Sequence, residues 1–196
     1  MKRRELIQHL ALITGAALSP SVVQAMINGI DGRVTIQNPV LSDSQRATCS
    51  VLAEMVIPRT DTPGALDAGV PHFIELMVSD WYTPTERQIF LDGLATLDSH
   101  CQTQFGSPFL SCTEENQIAA LTHMEALGAD YKSQTSAAPM SKEVDENVPF
   151  FGKLKELTVI GYYTSEVGAK QELIYQPMPM EYRDIDFREV GRQWSS

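Results

Sequence analysis

The residue types that most often carry chemistry in proteins, cysteine and histidine, are few in this chain and widely spaced. The 196-residue sequence holds three cysteines and four histidines: Cys49, Cys101, Cys112, His9, His72, His100 and His123. No two cysteines have the C-x-x-C spacing typical of zinc or iron–sulfur sites, and no two histidines have the spacing of metal ligands on a helix. There is no C-x-x-C-H motif for covalent haem. We therefore predict no catalytic, metal-binding or cofactor-binding residue in this chain.

Motifs for nucleotide binding and for nucleophilic catalysis are also missing from the sequence. It contains no G-x-G-x-x-G after a strand pattern, no G-x-S-x-G, no phosphate loop and no calcium loop. The formal net charge of −10 argues against nucleic acid as a partner, because phosphate binding requires a basic surface. An enzyme that acts on its own is thus the least favoured class of function.

Two of the cysteines are close enough in sequence to pair. In an oxidising compartment Cys101 and Cys112 can form a disulfide across the turn at residues 105–108. A loop of that size would be stabilised by roughly 2–3 kcal/mol. Cys49 would then be left over, and two interpretations stay open for it. A buried thiol on an apolar helix face is favoured over a disulfide to another subunit.

Aromatic residues near the C-terminus are the remaining candidates for a functional surface. Tyr162 and Tyr163 either pack in the core or form a contact platform, since tyrosine suits interfaces that are half apolar and half polar. Pro177 and Pro179 favour a long extended arm over residues 168–196, which would bury little within a small domain. We predict that residues buried against a partner are among the following four: Tyr162, Tyr163, Tyr175 and Trp194.

The elements that must position these residues are helices. Apolar residues recur at helical spacing and follow N-terminal capping signals at Ser42, Thr83 and Thr113, and a proline at position 149 opens the last helix. The pattern predicts an all-α fold, a small helical domain of about five helices with a long extended C-terminal arm. Residues 128–148 are polar and are predicted to be an exposed loop or linker.

The apolar faces of the last two helices are also predicted from spacing. On the fourth helix the residues expected to face inward are Ile118, Leu121 and Met124, with Leu127 near the end. On the fifth helix they are Phe150, Leu154, Leu157, and either Val159 or Ile160.

The first 25 residues have the order of a secretory signal peptide. Arg3 and Arg4 precede an apolar stretch over residues 6–18, and residues 23–25 supply a small-residue cleavage site. Adjacent arginines suggest the twin-arginine export route, which carries folded proteins. The alternative is an ordinary signal with two chance arginines. The remainder, residues 26–196, is predicted to be a single periplasmic domain.

Four segments of the sequence resemble one known family. They are Leu41–Arg46, Val56–Ala65, Ala68–Ile74, and Leu154–Thr158 continued by Gly161–Glu166. The most specific parts are Ile57–Ala65 and Gly161–Glu166. On these segments the chain resembles the gluconate 2-dehydrogenase subunit 3 family, the small (gamma) subunit of bacterial membrane-associated flavin dehydrogenases for sugars and polyols.

The resemblance implies a non-catalytic subunit with no cofactor of its own. In such complexes a large flavoprotein subunit binds FAD and oxidises the sugar or polyol, and a multihaem cytochrome c, holding haem c, often takes the electrons. The small subunit carries the export signal and escorts the flavoprotein through the twin-arginine translocase. The complex is expected in the periplasm at the inner membrane. The alternative is a stand-alone periplasmic helical scaffold or ligand-binding domain.

Overall fold

Helices dominate the part of the chain that the computed structural model describes, which is residues 35–132 and 145–175 with positions 186, 188, 194 and 195. The chain divides into a unit of residues 1–37 and a unit of residues 38–196, and the five described α-helices lie in the second. The prediction of a signal peptide with Arg3 and Arg4 falls outside the described residues.

The order of elements in the second unit confirms an all-α domain. The α-helices are α1 (Asp43–Val56), α2 (Val70–Leu76), α3 (Pro84–Phe105), α4 (Glu114–Gly128) and α5 (Phe150–Tyr163). A π-helical turn, Met77–Trp81, continues α2, and a 3₁₀ turn, Phe109–Ser111, lies between α3 and α4. The two-residue strands β1 (Ile174–Tyr175) and β2 (Trp194–Ser195) pair in parallel. Among the described residues no helix is long and apolar enough to cross a membrane.

The predicted helix starts are confirmed by their capping geometry. The Ser42 side chain accepts from the backbone N–H of Gln45, whose own side chain bonds back to the Ser42 N–H at 2.9 Å. Thr83 and Glu86 form the same reciprocal box at the start of α3. Each box satisfies two backbone donors that the helix leaves without partners, which fixes where the helix begins.

Helix α5 lies at the centre of the packing. It contacts all four other helices, and its buried face includes Phe150, Leu154 and Leu157, as predicted. Phe150 packs edge-on against Phe90 of α3 with the ring centroids 5.2 Å apart. Since a fully buried Leu or Phe side chain contributes about 1.5–3 kcal/mol, this shared face holds the domain together.

Several predicted core positions are wrong. Ile118 and Leu127 of α4 are 51% and 61% exposed, whereas Met124 is buried as predicted and Leu121 is partly buried. On α5 both Val159 and Ile160 are exposed. The physical reason is that both helices carry apolar residues on more than one face, so periodicity alone does not decide which face meets the core.

The predicted extended arm begins later than expected. Residues Gly168–Glu172 form a π-helical turn, closed by the Leu173 N–H donating to the Gly168 carbonyl at 3.1 Å. Extended backbone starts at Leu173, the residue before β1. Pro177 and Pro179 of the arm lie outside the described residues, as do positions 133–144 of the predicted loop.

Candidate partner interface

The loop between α1 and α2 is held by a carboxylate from the preceding helix. Glu54 of α1 accepts hydrogen bonds from the backbone N–H groups of Arg59 and Leu66, each at 3.0 Å. These two donors lie on opposite sides of the loop tip, so one side chain closes the loop. Because hydrogen bonds to a charged acceptor are about twice as strong as neutral ones, this arrangement fixes the loop backbone.

A second carboxylate holds the same loop from its far side. Asp67 accepts from the Gly64 N–H at 3.0 Å and from Nε of Arg59 at 2.8 Å, and its other oxygen bonds Nη2 of Arg59. The Arg59 side chain therefore holds a fork-like pair with Asp67. This hydrogen bonding to Arg59 lowers the pKa of the Asp67 carboxyl. The carboxyl is thus an anion across the neutral pH range, and the loop keeps this bracing there.

Gly64 is required by the close approach of the bracing groups. A Cβ at this position would lie 2.4 Å from Oε1 of Glu54 and 2.7 Å from the backbone nitrogen of Arg59. Backbone cannot give way as a flexible side chain can, so any larger residue would push the loop open. The glycine thus belongs to the shape of the loop.

Tyr162 joins the loop to the end of α5. Its hydroxyl donates to the Pro63 carbonyl at 2.7 Å, and its ring is only 1% exposed. Burial raises the pKa of this phenol. Of the two interpretations of the tyrosine pair, core packing therefore holds for Tyr162, whose ring is not free to meet a partner. The two segments most specific to the family resemblance meet at this hydrogen bond.

The other predicted interface aromatics are placed differently. Tyr163 is 42% exposed and lies edge-on to Tyr162, with centroids 5.2 Å apart. With Val159 and Ile160 it forms an exposed apolar face of α5. Tyr175 and Trp194 are described through their backbone, as members of β1 and β2. The two sequence positions are thus brought to one ladder, and their role at an interface stays a prediction.

An apolar groove beside the loop escaped the sequence analysis. It has a volume of about 860 Å³ and lies between α1, α4, α5 and the loop. Its apolar walls come from Val51, Met55, Leu66, Ile118, Leu121 and Phe151. The only sequence signal for it was the excess of apolar residues on α4 beyond what one core face needs.

Cys101 and Cys112 are in contact as free thiols. Cys101 is fully buried and Cys112 is partly buried, and the Cys112 thiol donates to the carbonyl oxygens of Ser107 and Pro108 at 3.6 and 3.5 Å. Burial, and then the charge of Cys112, raises the pKa of Cys101 to about 12. The structure therefore brings the predicted pair together, and their disulfide stays a prediction. Cys49 is buried, and burial raises its pKa to about 12, in line with an inert core thiol.

A buried ion pair joins α5 to α3, and the sequence analysis did not find it. Nζ of Lys153 lies 3.1 Å from Oε1 of Glu86, with both side chains inside the domain. Lys153 also lies over the ring of Tyr82, 5.1 Å from its centroid. The capping box was the visible role of Glu86, and the partner 67 positions later gave no local signal. Within the described residues no group of three or more His, Cys, Asp or Glu side chains could hold a metal ion.

These features describe a small helical domain with a braced surface loop, an apolar groove and an exposed apolar helix face. The family described as Gluconate 2-dehydrogenase subunit 3 matches residues 43–180. The chain therefore belongs to the gluconate 2-dehydrogenase subunit 3 family, and it is a subunit of a gluconate dehydrogenase complex. Comparisons with curated proteins and with solved structures found no match.

Proposed function

We propose that the chain is the non-catalytic small subunit of a periplasmic FAD-dependent sugar or polyol dehydrogenase of the gluconate type. In this role it binds the flavoprotein subunit, stabilises it and escorts it through twin-arginine export. FAD belongs to the flavoprotein, and a third subunit, a multihaem cytochrome c with haem c, receives the electrons in complexes that contain one. The complex is held at the periplasmic side of the inner membrane.

The family match over residues 43–180 carries this proposal. It is supported by the meeting of two family-specific segments at the hydrogen bond from Tyr162 to Pro63. That bond, with Glu54 and Asp67, gives a surface loop a fixed shape before any partner arrives. A preorganised loop pays less ordering entropy on association, which suits a docking surface.

Export of the partner tests the escort role. In the natural host, Arg3→Lys together with Arg4→Lys should leave both this chain and the flavoprotein in the cytoplasm, because the twin-arginine route reads the arginine pair. Lys2→Gln, which keeps both arginines, is the matched control and should be exported. If fractionation finds the flavoprotein in the periplasm of cells that carry the double variant, the escort role is ruled out.

Composition of the complex tests the structural role. A tagged wild-type chain, purified from solubilised membranes, should bring down an FAD-binding oxidoreductase, identified by mass spectrometry and by its flavin absorbance. The isolated chain should be colourless and should not reduce a dye with gluconate. A flavin bound to the isolated chain, or recovery without any oxidoreductase subunit, would contradict the proposal.

A further inference from the structure

The groove between α1, α4, α5 and the loop is an apolar surface with an acidic edge. Ile118 is 51% exposed on its α4 wall, and Leu66 is exposed on its loop wall. Three carboxylates line the groove against one ammonium group: Glu54, Glu114 and Glu125 against Lys155. An occupant must therefore supply apolar side chains for the floor and positive charge for the edge.

We propose that this groove is the docking site for a segment of the partner dehydrogenase subunit that carries an apolar anchor flanked by lysine or arginine. This inference rests on the proposed function, because that subunit is the partner it names. Grooves between helices commonly take amphipathic segments whose apolar residues fill the floor. The net charge of the chain, −10, extends the same attraction beyond the groove edge.

Charge also disfavours the other occupants. A second copy of this chain would bring another strongly acidic surface to an acidic edge, and like charges across an interface are repelled. Anionic lipid headgroups are disfavoured for the same reason. The carboxylate of Glu54 already accepts hydrogen bonds from the backbone N–H groups of Arg59 and Leu66. It therefore contributes negative charge to the groove but is not free to orient a small ligand.

The position of the groove fits docking of a large partner. Its loop wall, Pro58 and Leu66, belongs to the same loop that Glu54 and Asp67 hold in shape. One partner surface can thus contact the loop and fill the groove together. The α4 wall, by contrast, supplies the exposed anchor Ile118, which the chain's own core leaves half uncovered.

Matched variants of the full chain test the apolar part of the proposal. Ile118→Arg removes the apolar anchor on the α4 wall and adds a cation, so recovery of the dehydrogenase subunit should fall at least about tenfold, as for an interface anchor. Leu127→Arg is the control, since Leu127 is 61% exposed on the same helix and does not line the groove. It should leave recovery unchanged. Circular dichroism should show both variants folded.

A second matched pair tests the acidic edge. Glu114 and Glu115 are neighbours in the first turn of α4 and share the same helix dipole, but only Glu114 lines the groove. Glu114→Lys should weaken the complex several-fold more than Glu115→Lys, with a difference that shrinks at high salt. Equal effects from the two substitutions would overturn the electrostatic argument.

Photo-crosslinking identifies the occupant directly. A photoreactive phenylalanine at position 118, in the complex as purified from membranes, should crosslink to a dehydrogenase segment with an apolar residue between basic ones, and the same probe at position 127 should not. A crosslink to this chain itself, to a second copy or to lipid would overturn the docking site. Wild-type chain that recovers no dehydrogenase subunit would instead fail the proposed function, so the two failures are distinct.

Discussion

The two ends of α5 are attached to the rest of the domain by different chemistry. At the N-terminal end Lys153 pairs with Glu86 in the interior, and Phe150 packs closely against α3. At the C-terminal end a neutral hydroxyl, that of Tyr162, bonds a loop carbonyl near the surface. One end is held by buried charge and tight packing, and the other by a bond that shapes a loop. The comparison teaches that the first end serves the stability of the fold, whereas the second serves the form of a surface.

The largest effect is expected from breaking the buried pair. Lys153→Met leaves the Glu86 carboxylate in the interior without its cation, so the free energy of unfolding should fall by about 3–5 kcal/mol. Urea denaturation measures this. The control is Lys155→Met, an exposed lysine on the same helix, which should change stability by no more than about 0.5 kcal/mol. Adding Glu86→Gln to Lys153→Met should recover part of the loss, and equal stability of Lys153→Met and wild type would refute the comparison.

Alanine substitutions at two glycines would compare how tightly the N-terminal and C-terminal ends of α5 are packed. A Cβ on Gly93 would lie 2.1–2.4 Å from three atoms of buried Phe150, whereas one on Gly161 would lie 2.6 Å from a ring carbon of the less buried Phe73. Alanine gains about 1 kcal/mol over glycine inside a helix. Gly93→Ala should still lose about 1–3 kcal/mol through overpacking. Gly161→Ala should lose less, because only one ring carbon of the partly buried Phe73 would lie within 3.0 Å of the new Cβ. An equal loss from the two substitutions in thermal unfolding would contradict the difference.

A smaller effect is expected at the loop. Tyr162→Phe keeps the buried ring and removes the bond to the Pro63 carbonyl, which should lower the free energy of unfolding by about 1 kcal/mol. Amide hydrogen exchange should accelerate at Gly64 and Ala65 and stay unchanged in the middle of α3. Uniform acceleration across the domain would show that Tyr162 serves global stability instead, and the two ends of α5 would then be alike.

The smallest effect concerns a contact that belongs to neither end of α5. The rings of His100 and His123 stack with centroids 4.0 Å apart and 9° between their planes. Burial, and then the charge of His123, lowers the pKa of His100 from 6.5. As the pH falls, the unfolded chain therefore protonates this imidazole at a higher pH than the folded chain does. The contribution of neutral His100 to the free energy of unfolding is complete above about pH 6.5 and is lost as the pH falls toward the lower pKa of the folded state. Nuclear magnetic resonance titration of the His100 ring checks the sign, and a value at or above 6.5 would contradict it.

The sequence predicted local features well, because they depend on neighbours along the chain. The caps at Ser42 and Thr83 lie three positions from the side chains that complete them. The exposure of Ile118 and the pairing of Lys153 with Glu86 depend on packing between helices, and spacing within one helix carries no information on either. The bond from Tyr162 to Pro63 spans 99 positions. The family resemblance named both segments, but it did not indicate that they contact each other.

The bracing of the α1–α2 loop separates the residues that set its shape from those that form its face. Glu54 and Asp67 hold backbone N–H groups, which every residue except proline supplies, and Gly64 provides the room. The exposed residues at the tip, Thr60 and Asp61, take no part in that frame beyond one Thr60 N–H bond to the Thr62 carbonyl. The tip can therefore change its side chains while its backbone stays in place. Substitutions at Thr60 or Asp61 would thus change the chemistry of the loop surface and leave the residues that brace its backbone in place.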